Sequence, residues 1–489
     1  MVWGLAAALA AGLLQDPRVL PVALFFLVRD ALARGCGRSE RLLALVAVGL
    51  FWSYGAISAA GLVERTNTFN AWLAANAGEA TLDGWISSFP AHGFGRTSFE
   101  FTTAVDGVQL RVLVSAQDFV VGYGDSARIG TKPGTGRRSN AAYLRGRGCA
   151  GAVRALPGGV RTLAGRGGNP IVREVFAPLH EQIRRRATAG IGSRAGVPLA
   201  LLLAERGFID RRLRETFIVL GISHLLALSG LHLGFVAGAL VLVLKWTRLR
   251  NRMALMAILT FYVATVGPVL SLQRALVMAL ILIAASDAHR PLCPMTSLAD
   301  AFVLILLVRP HALFSVGFQL SFLATFSVLL CVQRLRRPER AGRLGRVWHF
   351  VRSTVWVSVV VQVFLAPVIL HYFGRISLVA PFATVIFVLP VATLLLSSAL
   401  ATVAALVCLP AGTMLFALVD HLTEAFNASL VTAAGLAPIP AALPVPAFAM
   451  YYVGLALLWS SRRRAWLRIA GLALAAAAFF AGGATHNDF

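Results

Sequence analysis

The chain has 489 residues, of which 58% are hydrophobic and only 13% charged, and its mean hydropathy is +0.75. Soluble globular proteins are about a quarter charged, so this composition excludes an ordinary soluble domain, and apolar runs from end to end exclude a soluble enzyme on one anchor. The remaining charge is lopsided, 45 Lys and Arg against 21 Asp and Glu for a formal +24, and two readings stay open: cytoplasmic basic loops or an anionic partner such as lipid headgroups or nucleic acid.

In chain order, residues 1–14 are apolar but make a helix of only about 21 Å, short of the roughly 30 Å hydrocarbon core. Asp16-Pro17-Arg18 interrupts the run and 19–33 is short again, so the pair reads as two short helices or a re-entrant hairpin. Residues 41–63 form the first full span. No basic region precedes the first apolar stretch, so no cleavable signal peptide is expected. Short basic loops occur at Arg34/Arg38/Arg41, Lys245/Arg248/Arg250/Arg252, Arg334–Arg346 and Arg462/Arg463/Arg464/Arg468, whereas the connections near 267–271 and 436–446 carry no Lys or Arg. Placing the basic loops in the cytoplasm puts the large insertion at 64–215 outside. Later segments at 217–244, 253–270, 272–286, 297–308, 314–331 and 351–373 each cross or dip in. The stretch 377–460 supplies further crossings, and 465–483 returns the C-terminus to the outside. About ten to twelve membrane segments are expected.

The insertion has a different texture. TSFEFTTAV, Asp106-Gly107 and VQLRVLVS read as strand, tight turn and strand, with Phe99, Phe101 and Val105 facing Val108, Leu110 and Val112. TLDGWIS, GDSARIG and GAVRAL add short strands, and closing them into a small β-barrel of roughly 90 residues removes exposed edges. Residues 171–216 (IVREVFAPLHEQIRRRA and ALLLAERGFIDRRLRETF) read as amphipathic interfacial helices. From Ser126 to Arg173 stand ten basic residues and no acid. Long translocated domains escape the positive-inside rule, so topology does not explain them. Attraction to membrane phosphates or a generally Arg-rich composition remains open beside a polyanion groove. The groove candidates are Arg111, Arg128, Lys132, Arg137, Arg138, Arg145, Arg147 and Tyr143. Trp85, Phe94 and Tyr123 are further base-stacking candidates that serve equally as core.

GISHLLALSGLHLGF, from Gly221 to Phe235, places two His, two Ser and three Gly where lipid-facing sequence is apolar. His224 and His232 would be about 80° apart on one continuous helix and would share an interior cavity. Without a carboxylate or Cys beside them they argue for a polar path or close helix packing rather than a metal. The five cysteines (Cys36, Cys149, Cys293, Cys331, Cys408) show no CxxC or Cys/His spacing, so neither a disulfide framework nor a zinc site is expected, and no cofactor.

GISHLLALSGLHLGF closely resembles the signature of the ComEC family, the competence-type DNA internalisation channels. The resemblance continues in SLQRALVMALIL (Ser271 to Leu282) and RPHALFSVGFQLSFLAT (Arg309 to Thr325), in family order, and the external strands ending GDSARIGTKPGTGRRSNAAYLRGRGCAGAV look like the family's OB-fold domain. It implies a polytopic α-helical membrane protein with an inserted extracytoplasmic OB-like β-barrel: membrane helices in 1–63, the β-domain in 64–170, interfacial helices in 171–216 and the competence-type channel in 217–489. It implies that His224, Ser229, His232, Arg274, Gln319 and Ser321 line a path for single-stranded DNA across the bacterial cytoplasmic membrane, although Arg274 and Gln319 serve equally as hydrogen-bonded ties between helices. Many family members end in a metallo-β-lactamase-like nuclease; this chain ends at Phe489 without an HxHxDH cluster or a Walker A motif. A short member, half of a split system and a truncated sequence all fit. No catalytic activity is expected, and a cytoplasmic DNA-translocating ATPase, an external DNA receptor and a separate nuclease are implied as partners. The competing reading is a secondary transporter for a small anion.

Overall fold

The computed structural model describes residues 60–435, apart from 77–79, 94–95, 118–120, 132–140, 247–251, 288–293, 333–341, 378 and 436–438, together with 439–440. The expected N-terminal segments up to residue 59, the C-terminal segment at 465–483 and most of the basic loops lie outside these residues. The chain divides into two compact units, one of 62–302 with 382–437 and one of 303–381 with the flanking terminal segments.

The first unit begins with helix α1 (60–75) and continues into strands β1 (Ala80–Ile86), β2 (Ala91–Gly93), β3 (Arg96–Val105) and β4 (Val108–Gln117). The β3–β4 hairpin forms as expected. Asp106 and Gly107 both take positive φ (49° and 76°), the requirement of the two-residue turn whose twist matches the strands. Register runs from Val105↔Val108 to Arg96↔Gln117. Alternation buries Phe99, Phe101 and Val105 against Leu110, Val112 and Val114; Val108, at the hairpin tip, is only partly buried. Next come β5 (Asp125–Thr131), a short helix α2 (Ala141–Arg147) and the long β6 (Gly151–Arg166).

Antiparallel pairs β1–β3, β1–β5, β5–β6 and β3–β4, with the parallel pair β4–β6, close a five-stranded ring in the order β1-β5-β6-β4-β3. Gly84 is where β1 passes from one neighbour to the other, since it pairs with both Thr103 and Ala127. A Cβ there would stand 2.1 Å from the Thr102 carbonyl oxygen, so the corner needs glycine. Phe69 of α1 plugs the core and lies within 1.9 Å of where a Cβ on Gly151 would sit.

After the barrel, a π-helical turn (Val172–Phe176) leads into α3 (Ala177–Ile191), which Gly192 ends with φ 71°. The second amphipathic helix expected before residue 217 is instead two pieces. All eight residues of α4 (Gly196–Leu203) are buried, Ala204 turns left-handed at φ 62°, and α5 (Arg211–Val219) starts afresh after an extended Asp210. The barrel's first connection meets this break: a Cβ on Gly93 would stand 2.4 Å from the Gly207 carbonyl oxygen, and one on Gly207 1.8 Å from that of His92.

The segment 217–244, expected to cross or dip in, is likewise interrupted. Gly221 has φ 69°, α6 is one turn (Ser223–Leu226), and α7 (Gly230–Trp246) begins after an extended Ala227. Then follow α8 (Arg252–Val266), α9 (Leu270–Asp287) and α10 (Pro294–Val308). Leu228, Leu233, Leu259, Val263, Leu272 and Leu276 form the core that joins α7, α8 and α9. In the other unit, α11 (Val316–Val332) packs on α12 (Arg343–Phe373), with Phe326 edge-on to Phe364 at 6.4 Å. Helices α13 (Ala380–Val407) and α14 (Leu409–Ala433) complete the described chain.

Two helical stretches, Val351–Phe373 and Ala380–Val407, are long and apolar enough to cross a membrane, and five apolar helices between Gly230 and Val332 are shorter. In α13 the outward stripe is Phe382, Ile386, Leu389, Leu400, Val403 and Val407, while the inward face buries Ala383, Phe387, Val391, Leu394 and Leu395 together with Ser398 and Thr402. A helix apolar on its exposed face as well as its buried one is the pattern that lipid, not water, stabilises.

Candidate functional site

The SGLH sequence builds the start of α7. Leu233 N–H donates to the Ser229 carbonyl (3.2 Å), which makes Ser229 the N-cap and His232 the third helical residue. His232 Nδ1 accepts from the Ser229 backbone N–H (3.3 Å) and lies 3.0 Å from Ser229 Oγ. This is one half of a capping box, the return bond to the N-cap N–H, with His where Glu is usual. Because Nδ1 accepts, the neutral ring carries its proton on Nε2, which is buried without a hydrogen-bond partner among the described residues. His224 stands apart on α6 and is exposed. The 80° relation expected of the two histidines is overturned, because the helix that would connect them is broken at 227–229.

Gly230 has a steric reason. A Cβ there would stand 2.9 Å from Arg274 Nη2, so the bare backbone admits the guanidinium of α9 to the first turn of α7. Arg274 is 6% exposed. A helix N-terminus already carries about half a positive charge, so a guanidinium there adds positive to positive. The helix dipole does not account for that placement. The Ser229–Gly230–His232 turn and Arg274 of α9 are therefore neighbours. Gln319 and Ser321 belong to the other unit. Gln319 is fully buried, and its Nε2 donates to the Leu313 carbonyl (3.0 Å), tying α11 to the turn before it; Ser321 is partly buried. Among the described residues no three His, Cys, Asp or Glu gather as a metal site.

On the barrel, several candidate arginines turn out to have carboxylate partners. Arg128 makes a two-pronged bond to Asp83 (2.7 and 2.6 Å), and the hydrogen bond from Arg128 holds the Asp83 carboxyl below its usual range. Glu100 faces both Arg111 (3.6 Å) and Arg147 (3.4 Å). The tract without acids is thus partly neutralised by acids from β1 and β3, outside the counted window. Arg145 is exposed; Lys132, Arg137, Arg138 and the Tyr143 side chain lie outside the described residues. Sequence reasoning left out Arg154, Arg161 and Arg166, all exposed along β6. The alternation Val153 in, Arg154 out, Ala155 in was the available signal. Trp85 and Tyr123 are held rather than splayed. Their rings meet edge-on at 6.1 Å, Trp85 lies against Gly167, and the Tyr123 hydroxyl accepts from Asn169 N–H (3.2 Å).

Two long apolar helices with apolar outward stripes, and a closed barrel ahead of them in the chain, fit a membrane protein that carries a polar domain. The Competence protein family model matches residues 201–466, more than half the chain, and the chain belongs to that family, the ComEC type. It is 29% identical over 188 residues to ComE operon protein 3 of Bacillus subtilis, covering 38% of this chain and 23% of the relative. It is also similar to uncharacterized protein MG316 of Mycoplasma genitalium (34% over 125 residues, 25% of this chain and 32% of the relative) and to its Mycoplasma pneumoniae homolog (27% over 178 residues, 36% and 43%). The matches span less than half the length of these relatives. No solved structure matches.

Proposed function

We propose that the chain is a multi-pass channel subunit that passes single-stranded DNA inward across the bacterial cytoplasmic membrane during natural transformation, with barrel and C-terminus outside. The observation that carries this reading is where the barrel's positive charge falls. In OB-type barrels, oligonucleotides bind across the second and third strands and the first–second and fourth–fifth connections. Counting the five barrel strands in chain order (β1, β3, β4, β5, β6), Arg111 lies on the third, and Lys132, Arg137, Arg138, Tyr143, Arg145 and Arg147 lie on the connection from fourth to fifth. Arg154, Arg161 and Arg166 extend the charge along the fifth strand itself. Family membership points the same way.

Deeper in, the α7 N-terminus with Arg274 and His232 offers phosphate donors without a carboxylate trap. An ion-conducting path needs binding strong enough to admit and weak enough to release. A cytoplasmic DNA-translocating ATPase, an external DNA receptor and a nuclease complete the proposed machine.

The test uses the full chain in nanodiscs and a fluorescent oligo-dT. Affinity should fall steeply with salt, and replacing Arg154, Arg161 and Arg166 together by Gln should flatten the log–log slope by about 2, at roughly 0.7 per single-strand phosphate contact. Salt-independent binding, or a slope indifferent to all three, would remove the barrel from the DNA path.

A further inference from the structure

Helix α12 enters its apolar stretch on an arginine set between two tryptophans. That stretch, Val351–Phe373, has 23 residues and is long and apolar enough to cross a membrane; it makes about 34 Å of helix. Arg352, its second residue, is the one Lys, Arg, Asp or Glu within it. Trp348 and Trp356, one helical turn to either side, are 67% and 55% exposed, and Arg352 is exposed between them. Each step of four residues advances about 6 Å along the axis and turns only about 40°, so the three share one face. Val363, also exposed, continues that face down the helix.

The other side of α12 is committed to protein. Val360, Phe364 and Val368 are buried, and Phe364 meets Phe326 of α11 edge-on. His349, Ser353 and Thr354, at the level of Arg352, all have partners. Trp348, Arg352 and Trp356 make no side-chain hydrogen bond, ion pair or ring contact among the described residues.

Position and charge narrow the occupant of this face. An arginine at the edge of the hydrocarbon extends its guanidinium along an apolar stem to the headgroup level, and indoles favour the same level. Between two indoles the guanidinium keeps its fork of N–H donors for an oxyanion, which phosphate fits two-pronged. From Arg334 to Arg352 stand seven arginines and a single acid, Glu339. A zwitterionic surface leaves that excess unanswered; an anionic one gathers it. The outward stripe of α13, with neither tryptophan nor charge, suits acyl chains without selecting a headgroup. Single-stranded nucleic acid also binds arginine and aromatic rings, but a face that runs on into Val363 suits an acyl chain better than a sugar–phosphate backbone.

We propose that Arg352, flanked by Trp348 and Trp356, holds the phosphate of an anionic phospholipid whose acyl chains lie along the Val363 face of α12. Only the choice of leaflet, the cytoplasmic one, rests on the topology proposed above. The test uses the full chain in nanodiscs and reads the fluorescence lost when Trp348 and Trp356 are both replaced by Phe, which isolates these two of the nine tryptophans. The discs hold phosphatidylcholine with a minority of phosphatidylglycerol, and one lipid at a time carries bromine on its acyl chains. Brominated phosphatidylglycerol should quench this component as though enriched about tenfold over its share of the bilayer, the scale of one charge-assisted contact.

Arg352→Gln should return quenching to the bulk share with an unchanged unfolding midpoint, because the side chain is exposed. Arg352→Lys should keep part of the enrichment, since the charge remains and the fork is lost. Wild-type quenching at the bulk share would make the tryptophans ordinary interfacial anchors and overturn the proposal. Enrichment that survives Arg352→Gln would do the same, as would quenching by neither lipid, which means a face covered by a second copy of the chain. Displacement of the lipid by oligo-dT would assign the face to the strand instead.

Discussion

The barrel and the apolar helices use arginine in opposite ways. On the barrel, Arg128, Arg111 and Arg147 stand in solvent beside Asp83 and Glu100, and exposed pairs of this kind are worth about 0–1 kcal/mol each. Their number matters more than any one position. Among the helices, Arg274 is buried, and its guanidinium is admitted by a single glycine. An arginine at mid-membrane costs roughly 2.5–3.5 kcal/mol on insertion scales, so its place must be built. Charge that is spread out sets attraction and its salt dependence; charge that is enclosed sets one step and depends on each neighbour's size.

Substitutions can break that contrast at four depths. The largest effect belongs to Gly151→Val, which drives a side chain into the Phe69 ring; thermal unfolding should lose about 3 kcal/mol, and an unchanged midpoint would remove Phe69 as the barrel's plug. Arg274→Ala should leave surface binding of labelled DNA intact while uptake falls roughly a hundredfold, the upper scale of a lost charged donor. Normal uptake in that variant would take Arg274 out of the path. Gly230→Ala should reduce uptake about tenfold by displacing Nη2, and equal uptake would show the guanidinium free to move aside. The smallest effect is expected of Arg128→Gln, within about 1 kcal/mol of wild-type stability; a larger loss would mean that the Asp83 pair is not solvent-screened.

One barrel group adds a pH test. Burial, with the Glu100 charge assisting, pushes the Cys149 thiol up to about 12. A thiol whose pKa is raised by folding contributes stability below its ordinary range and loses it as pH rises toward the folded value. Cys149 should therefore resist iodoacetamide in folded protein near neutral pH, and unfolding midpoints should fall with rising pH through that window. Rapid labelling at Cys149 itself in the native chain, located by peptide mapping, would contradict its enclosure.

Sequence carried the barrel further than the helices. The Asp106-Gly107 turn and the in–out alternation beside it fix φ signs and faces locally, so the hairpin was legible to the residue. Segment 217–244 was not, because its His, Ser and Gly positions follow no period that would betray a break. Gly221 and Gly230 were visible, but what they admit, a turn and a guanidinium, lies in other elements. The pairing of Arg128 with Asp83 was hidden for the same reason: the acid is a neighbour only after β1 and β5 align.

The long strand β6 has a consequence for the order of assembly. It runs parallel to β4 over Gly151–Arg154 and antiparallel to β5 from Ala155 to Arg166. The hairpin β3–β4 can form as soon as residue 117 has been made, yet its open edge must wait through residues 118–150 for a partner. Until β6 arrives, that edge is a template for any other strand nearby. Closure then comes late and at once, since one segment seals both sides of the seam, and its dependence on distant pairing makes it the slow step of folding. Substitutions in β6 should therefore show up as misassembly during synthesis before they show up as instability in the finished molecule.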